Sequence, residues 1–575
     1  MTRLFNDPTA FADEMIDGFV AANSTQVRRV TGGVVRSTVS TPGSVAVVIG
    51  GGSGHYPAFG GIVGQGLAHG AAMGNLFASP SMQQVLSVAR AADLGGGILL
   101  TYGNYAGDVL NFSAAQDQLR SAGIDCRTVT VTDDIASAPL AEKHKRRGIA
   151  GDLTVFKTAA AASEAGYSLD DVERVATLAN ERTRSFGVAF TGCTLPGADA
   201  PLFTVPEGRM GVGIGIHGEP GIGEVDVPTA DGLAELLVGK LLGELPEGIA
   251  DARGQRTAVI LNGLGSVKYE ELFVVYRRIA ALLDEAGVTV VEPEVGELVT
   301  SFDMAGVSLT LFWLDAELES FWNAPADTPA YRKGAVAAVA QAPVAEALEA
   351  TSQAIPESTP ESQAAARTAY LALEAIAAVI DENVEELGRI DAVAGDGDHG
   401  IGMQRGSHAA QAAALEVLTA GAGAQTLLER AGDAWSDRAG GTSGALWGAA
   451  LRAIAAELGD TDAPTAASVG AGVQAAKNAI LTFGAVVGDK TMVDTLVPFA
   501  DTLTREVDGG ARLVASWVIA ADAATVAAAA TADLLPKMGR ARPHAEKSLG
   551  TPDAGAHSLA LIARAVADVL TKEEK

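Results

Sequence analysis

Two periods of apolar spacing divide the chain. Up to about residue 325, short aliphatic and β-branched runs alternate with helical segments, and glycine is frequent. Residues 45–49, 98–101, 128–131, 258–261, 288–291 and 308–314 are largely apolar runs of strand length, the pattern of strands buried on both faces. Strands alternating with helices predict an α/β body over residues 1–325, with ligands gathering in the loops at the carboxyl ends of strands. Residues 326–358 shift to Ala, Pro, Ser, Thr and Glu with little periodicity, and read as a partly helical linker. From 359 to 575 the period is helical: 361–386, 404–418, 424–438, 443–458, 466–482, 491–507, 511–534 and 554–572. Eight alanine-rich helices with short connections predict an all-α up-and-down bundle.

Composition changes this picture little. A chain of 575 residues exceeds what one core usually serves, so a multidomain protein is expected, and 48% apolar content gives each domain enough to bury. Forty-one basic against seventy acidic residues leave a net charge of −29, which repels nucleic acid and anionic membrane alike. The short basic run 143–147 is the one local exception, and neither nucleic acid nor membrane is expected as a partner. An acidic protein that handles nucleotides needs metal to screen the phosphates. Cys126 and Cys193 make no disulfide framework and fit a reducing, cytoplasmic setting. Asp7, Asp13 and Glu14 stand where a signal peptide would be apolar. The apolar stretch 513–535 contains Asp522 and Asp533, and reads as a buried helix more readily than a membrane span.

The candidate chemistry lies in loops. Asp391, Asp396 and Asp398 fall in a short turn with Gly395 and Gly397, which let the backbone bring three hard oxygen donors together for a divalent cation. Alone, such a turn is more often a solvated acidic loop. A calcium-loop reading fails, because the twelfth position from Asp391 is Gly402. The turn joins the first two helices of the bundle, and loops 440–444, 488–492 and 550–555 can share that end. Residues 440–444 open a helix, where bare amides with Thr442 and Ser443 suit a phosphate or make an ordinary cap. Residues 484–491 resemble a P-loop only superficially, since Asp489 separates Gly488 from Lys490 and no strand precedes them.

In the first half, Gly50, Gly51, Gly52, Ser53, Gly54 and His55 follow the run 45–49 as an expected ligand loop with the histidine at its rim. Asp108 is expected at the end of the next strand, as a ligand group or a helix cap. His217 lies in a glycine-rich stretch after an expected strand, and by itself reads as readily as a structural histidine.

Together these motifs resemble the dihydroxyacetone kinase family in its fused, ATP-dependent form. Residues 50–55, 104–108 with 110–112, 147–151, 215–221 and 303–306 match its substrate-binding half. Residues 395–400, 440–444, 488–494 and 550–556 match its nucleotide-binding half, and the order and spacing run over nearly the whole chain. The resemblance implies an α/β substrate half and an eight-helix nucleotide half. It implies that His217 holds a small ketose as a covalent hemiaminal, and that Asp108, assisted by His55, accepts the proton of a terminal hydroxyl. Gly52, Ser53 and Gly54 complete the implied substrate site. Asp391, Asp396 and Asp398 would hold two magnesium ions with ATP. Asp398, His399, Gly400, Ile401, Thr442, Ser443, Thr491, Met492, Asp553, Ala554 and Gly555 would line the nucleotide site. A homodimer is implied in which one chain's substrate half faces the other's nucleotide half.

Four positions depart from the family pattern. Gly103 stands for its usual lysine, Ala106 for threonine, Tyr56 for glutamate and Ala554 for proline. The first three flank the substrate loops, so a ketose larger than dihydroxyacetone is expected, with D- or L-erythrulose first. Dihydroxyacetone itself, or a side activity cyclising a flavin dinucleotide, are the alternatives.

Overall fold

The structure, a computed structural model, describes residues 4–341, 355–393, 395, 397–538 and 547–574. The chain forms two compact units, Met1–Ala347 and Leu348–Lys575.

The first unit contains two sheets. The first sheet has the order β1-β2-β4-β3-β5-β6. Its strands are β1 (Val27–Val30), β2 (Gly33–Arg36), β3 (Ala46–Ser53), β4 (Gly70–Leu76), β5 (Ile98–Gly103) and β6 (Cys126–Val131). β4, β3, β5 and β6 run parallel, and β1 and β2 are an antiparallel edge. Helices α2 (Met82–Ala92) and α3 (Ala106–Ser121) cover one face, and α4 (Asp152–Glu164) and α5 (Leu169–Glu181) the other. α1 (Phe11–Ala22) lies beside β1 and β4. Alternate residues of one strand therefore enter different cores: Ala46, Val48 and Ile98 pack with Phe112, while Val47, Ile49 and Leu99 pack with Phe156. That is why these strands read as unbroken apolar runs.

The second sheet has the order β11-β10-β13-β7-β8-β9, with β12 also on β10. It contains β7 (Thr183–Ala189), β8 (Arg209–Val212), β9 (Gly223–Asp226), β10 (Arg256–Gly263), β11 (Thr289–Val290), β12 (Glu294–Gly296) and β13 (Gly306–Leu314). Helices α6 (Ala230–Leu242) and α7 (Tyr269–Glu285) pack on it. α8 (Ala316–Trp322) packs on α4.

The expected linker begins too early. Residues 326–341 belong to the first unit: β14 (Ala326–Asp327) and β15 (Arg332–Lys333) form a hairpin, Thr328 and Tyr331 are buried, and Gln341 bridges to Thr38. Prolines hid this segment, because its order comes from tertiary contacts and not from periodicity.

The second unit contains α9 (Pro360–Asp391), α10 (His399–Thr419), α11 (Ala424–Ala439), α12 (Gly441–Leu458), α13 (Ala466–Leu481), α14 (Val493–Asp508), α15 (Leu513–Ala530) and α16 (Ala554–Glu573). Each helix packs on the next and α16 returns to α9, so the eight expected helices close into a ring. Caps fix where helices start: Thr359 accepts from Ser362 N ahead of Pro360, and Thr465 forms a reciprocal pair with Ser468. Inside the ring Trp435 stacks on Trp447 with centroids 5.1 Å apart. By length and composition alone, Pro360–Asp391, Leu513–Asp533 and Ala554–Glu573 could each cross a membrane. α15 is less buried than expected. It turns Ser516, Ala520, Ala521, Ala524 and Ala528 inward, while Val526 is 72% exposed.

Candidate active site

In the first unit the site is built at the carboxyl end of β3. The glycines expected in a loop after the strand are part of it, since β3 runs through Gly50, Gly51, Gly52 and Ser53. Close packing explains them. A Cβ at Gly50 would meet the Ala72 carbonyl at 2.4 Å, at Gly51 the Phe59 ring at 2.4 Å, and at Gly52 the Ala78 amide at 2.7 Å. The Ser53 hydroxyl is committed to the Gly74 carbonyl at 2.7 Å. Gly54 then turns the chain with φ +113, pressed between Phe302 and Phe77.

His55 emerges from this turn buried. Its Nδ1 lies 2.7 Å from the Thr300 carbonyl, which can only accept, so Nδ1 carries the proton. Its Nε2 lies 3.0 Å from Nε2 of His217. His217 follows β8, which ends at Val212 and not, as expected, just before the histidine. Gly213, at φ +74 and packed against Ala136, breaks the strand. The carboxylate of Glu219 receives both the backbone N–H of His217 and its Nδ1, each at 3.0 Å. Phe77 stacks on His55 and sets its edge to His217, with centroids 4.9 and 5.3 Å away, and Tyr105 approaches the His217 ring edge-on at 4.6 Å.

Asp108 is on the first turn of α3, buried, one turn from Tyr105. The N-cap position is Tyr105 and no side chain caps this helix, so the capping alternative does not hold. Other acids gather nearby. Arg147 makes a two-pronged contact with Asp134 at 2.7 and 3.0 Å and lies 3.8 Å from Glu219. Asp133 accepts from the Ile149 and Gly151 amides, and burial pushes its carboxyl up to about 6 against those bonds.

The second unit carries the other site at one end of the ring. Asp391 is the last residue of α9 and not part of the turn after it. Asp398 occupies the N-cap position of α10 without capping it. Asp396 lies outside the described residues. A Cβ at Gly400 would meet the Val384 carbonyl at 2.1 Å, so glycine there lets α10 start hard against α9. Burial, with the charge of Asp391, pushes the Asp398 carboxyl up to about 7, and Arg405 opposes the shift. Asp553 caps α16 by accepting from Ala556 N at 2.7 Å. Burial, then Asp391 and Asp494, push it up to about 7 against that N–H and Lys490.

Burial and the shared neighbour Asp391 raise both carboxylates by more than Arg405 and Lys490 offset, the electrostatic pattern of a cation site. Among the described residues no three acidic or histidine side chains enclose an ion unaided. One or two carboxylates completed by phosphate oxygens and water fit the donor set, as hard divalent cations require.

The expected nucleotide loops do converge. A Cβ at Gly555 would lie 3.3 Å from that of Met492, which joins the 488–492 and 550–555 loops. His399 bonds Ser558 Oγ at 2.9 Å and lies 3.4 Å from Ser443 Oγ. Asp391, Lys490, Thr551, Asp553 and Ala554 line one cleft. Thr442 and Ile401 are exposed.

A Dak1 domain model matches residues 17–330 and a DAK2 domain model residues 393–568. The L-erythrulose kinase of Pectobacterium atrosepticum is 63% identical over 575 residues, spanning 100% of this chain and 97% of that protein. The chain belongs to the fused dihydroxyacetone kinase family. The D-erythrulose kinase of Mycolicibacterium smegmatis is 58% identical over 577 residues, spanning 99% of each. Among solved structures, the dihydroxyacetone kinase from C. freundii in complex with AMP-PNP and Mg2+ is similar at 30% identity, covering 99% of both chains with a TM-score of 0.53.

Within this dihydroxyacetone kinase fold, residues that drew no role from the sequence hold the sites together. Asp494 accepts the Gly488 and Thr491 amides at 2.5 and 2.8 Å and shapes the nucleotide loop. Lys490 Nζ donates to the Leu534 carbonyl and to the carbonyl and hydroxyl of Ser548, so it staples protein segments and does not act as a P-loop lysine. Glu219, Arg147 and Asp494 lie inside matched motifs, which was their signal. Thr300 had none, because its contribution is a backbone carbonyl.

Proposed function

We propose that this chain is an ATP-dependent kinase that phosphorylates a terminal hydroxyl of a small ketose, with erythrulose favoured over dihydroxyacetone. The observation that carries the reading is the His55–His217 pair backed by Glu219, in a chain closely similar over its full length to two erythrulose kinases.

Each ring's Nδ1 is tied to an acceptor, so only the Nε2 atoms can serve the substrate. His217 Nε2 attacks the carbonyl carbon, the C=O π pair moves to oxygen, and the proton held between the Nε2 atoms passes from His55 to that oxygen. The new C–N bond leaves charge on the His217 ring, which the Glu219 carboxylate balances. Polyols lack the carbonyl and are not captured. Asp108 accepts the terminal hydroxyl proton as the γ-phosphoryl group arrives. Asp391, Asp396 and Asp398 would hold two magnesium ions with ATP, and magnesium supplies neutralisation of the phosphate charge. The chain's own task in that half is to orient the nucleotide on the α10, α12 and α16 N-termini. The two buried thiols, Cys126 and Cys193, suit a cytoplasmic enzyme.

A coupled assay across dihydroxyacetone, glyceraldehyde and D- and L-erythrulose tests the substrate. A clear preference for dihydroxyacetone overturns it. We also place a substrate half opposite the nucleotide half of a second chain in a homodimer. Mixing inactive His217→Ala and Asp398→Ala chains then restores activity, and no recovery after subunit exchange rejects that arrangement.

A further inference from the structure

Asp152 is the first residue of α4 and only 2% exposed, yet it caps nothing, since Gly151 holds the N-cap position. Its Oδ1 is enclosed without a hydrogen-bond partner. Two bare backbone positions cradle the carboxyl. A Cβ at Gly148 would come within 2.7 Å of Oδ1, and one at Gly103 within 3.4 Å of Oδ2 and 3.1 Å of the Tyr105 ring. Tyr105 in turn bonds the Gly148 carbonyl at 2.8 Å and sets its ring against His217. Asp152 thus stands one side chain away from the histidine that captures the ketose. The room expected from the missing lysine at 103 is already shared between Tyr105 and this acid.

We propose that Asp152 is a specificity-determining residue that, beside Gly103, hydrogen-bonds the additional hydroxyl of a four-carbon ketose held on His217. The inference rests on the ketose-kinase reading above. Burial, with Asp133 and Asp108 nearby, holds the Asp152 carboxyl well above the usual range, which favours the protonated form with one donor and one acceptor side by side. That pair matches a hydroxyl, which both gives and takes a hydrogen bond. A lysine at 103 would begin in contact with Oδ2 and draw the acid into its ionised, acceptor-only form. Glycine there keeps the donor. Leaving a buried carboxyl oxygen unpartnered costs stability, and such groups collect where function requires them.

The test uses the full chain and the ratio of kcat/KM for erythrulose to that for dihydroxyacetone. Asp152→Leu lowers this ratio at least about tenfold, while Asp152→Asn, whose amide also gives and takes, holds it within about threefold. If Asp152→Leu does not fold by circular dichroism, Asp152→Ala reads the same ratio without added bulk. An unmoved ratio, or an equal loss for both sugars, overturns the proposal. A wild-type chain inactive on erythrulose overturns the substrate reading before any variant is measured, so the two failures are separable.

Discussion

His55 and His217 face each other through their Nε2 atoms across 3.0 Å, with each Nδ1 tied to its own acceptor, the Thr300 carbonyl and the Glu219 carboxylate. Two lone pairs cannot meet at that distance, so with Glu219 ionised the contact holds one shared proton. His55→Asn removes that proton store while keeping a polar group. Ketose kcat/KM is expected to fall by about 10²–10⁴-fold, the usual range for a lost general acid, with ATP affinity unchanged. Steady-state kinetics beside calorimetric nucleotide titration check this, and a parallel loss of ATP binding would contradict it.

Lys157 is wholly buried in α4, donates to the Phe321 carbonyl at 3.2 Å, and is pushed down to about 7 by burial and by Lys333. Between about 7 and its ordinary 10.5 the unfolded chain holds a proton that the folded chain has lost. Stability therefore rises with pH across that window, by at most about 1.4 kcal/mol per pH unit. Denaturant unfolding from pH 7 to 10 should show a slope that Lys157→Met removes, and identical slopes in both proteins would refute the assignment.

Asp398 and Asp553 are both pushed up to about 7 without a cation, so the folded metal-free chain binds protons that the unfolded chain releases near 4. Metal-free stability should decline as pH rises from about 4 to 7. Magnesium with nucleotide competes with those protons, so its affinity should strengthen as pH rises through 7. Isothermal titrations at pH 6 and 8 measure this directly, and the opposite trend would remove Asp398 and Asp553 from the cation's neighbourhood.

Lys490→Met removes a buried donor that the Leu534 carbonyl and the carbonyl and hydroxyl of Ser548 share. A cost of about 1–3 kcal/mol is expected, together with a raised KM for ATP and an unchanged KM for the ketose. Thermal unfolding and two-substrate kinetics check both parts. Equal changes in the two KM values would mean the staple serves the whole chain and not the nucleotide loop.

Much of the architecture followed from periodicity. The runs at β3, β5, β10 and β13 are unbroken because both faces of each sheet are covered where they lie. By contrast, 128–131 alternates in burial, and 288–291 yields only the two-residue β11 with Thr289 exposed. The eight helical segments are helices, α15 and α16 being separated by residues 531–553. Asp398, His217, His55 and Asp108 could be picked out because each adjoins a glycine and stands apart from a packing pattern, and Asp391 because it enters the same glycine-bearing turn as Asp398. Their partners could not. Thr300 is 245 positions from His55 and contributes only a carbonyl, and His217 lies 162 positions away. Such pairings are made where the end of β3, the turn after β8 and the segment between β12 and β13 meet, which no local pattern encodes.

Glycine marks the same division. From the sequence, Gly50 to Gly52 suggested a loop for a ligand, whereas the tertiary structure assigns them to close strand packing against Ala72, Phe59 and Ala78. The sequence by itself determined the α/β character of the first part, the eight helices of the second, the two-unit division and the residue types available for chemistry, since these depend on local period and composition. Strands such as β1, β2, β4 and the β14–β15 hairpin carried no such period and came from the tertiary structure. Only the tertiary structure decided which acids are buried together and which nitrogen of each histidine is left for the substrate. Burial and hydrogen-bond partners come from segments distant in the chain, and they fix protonation.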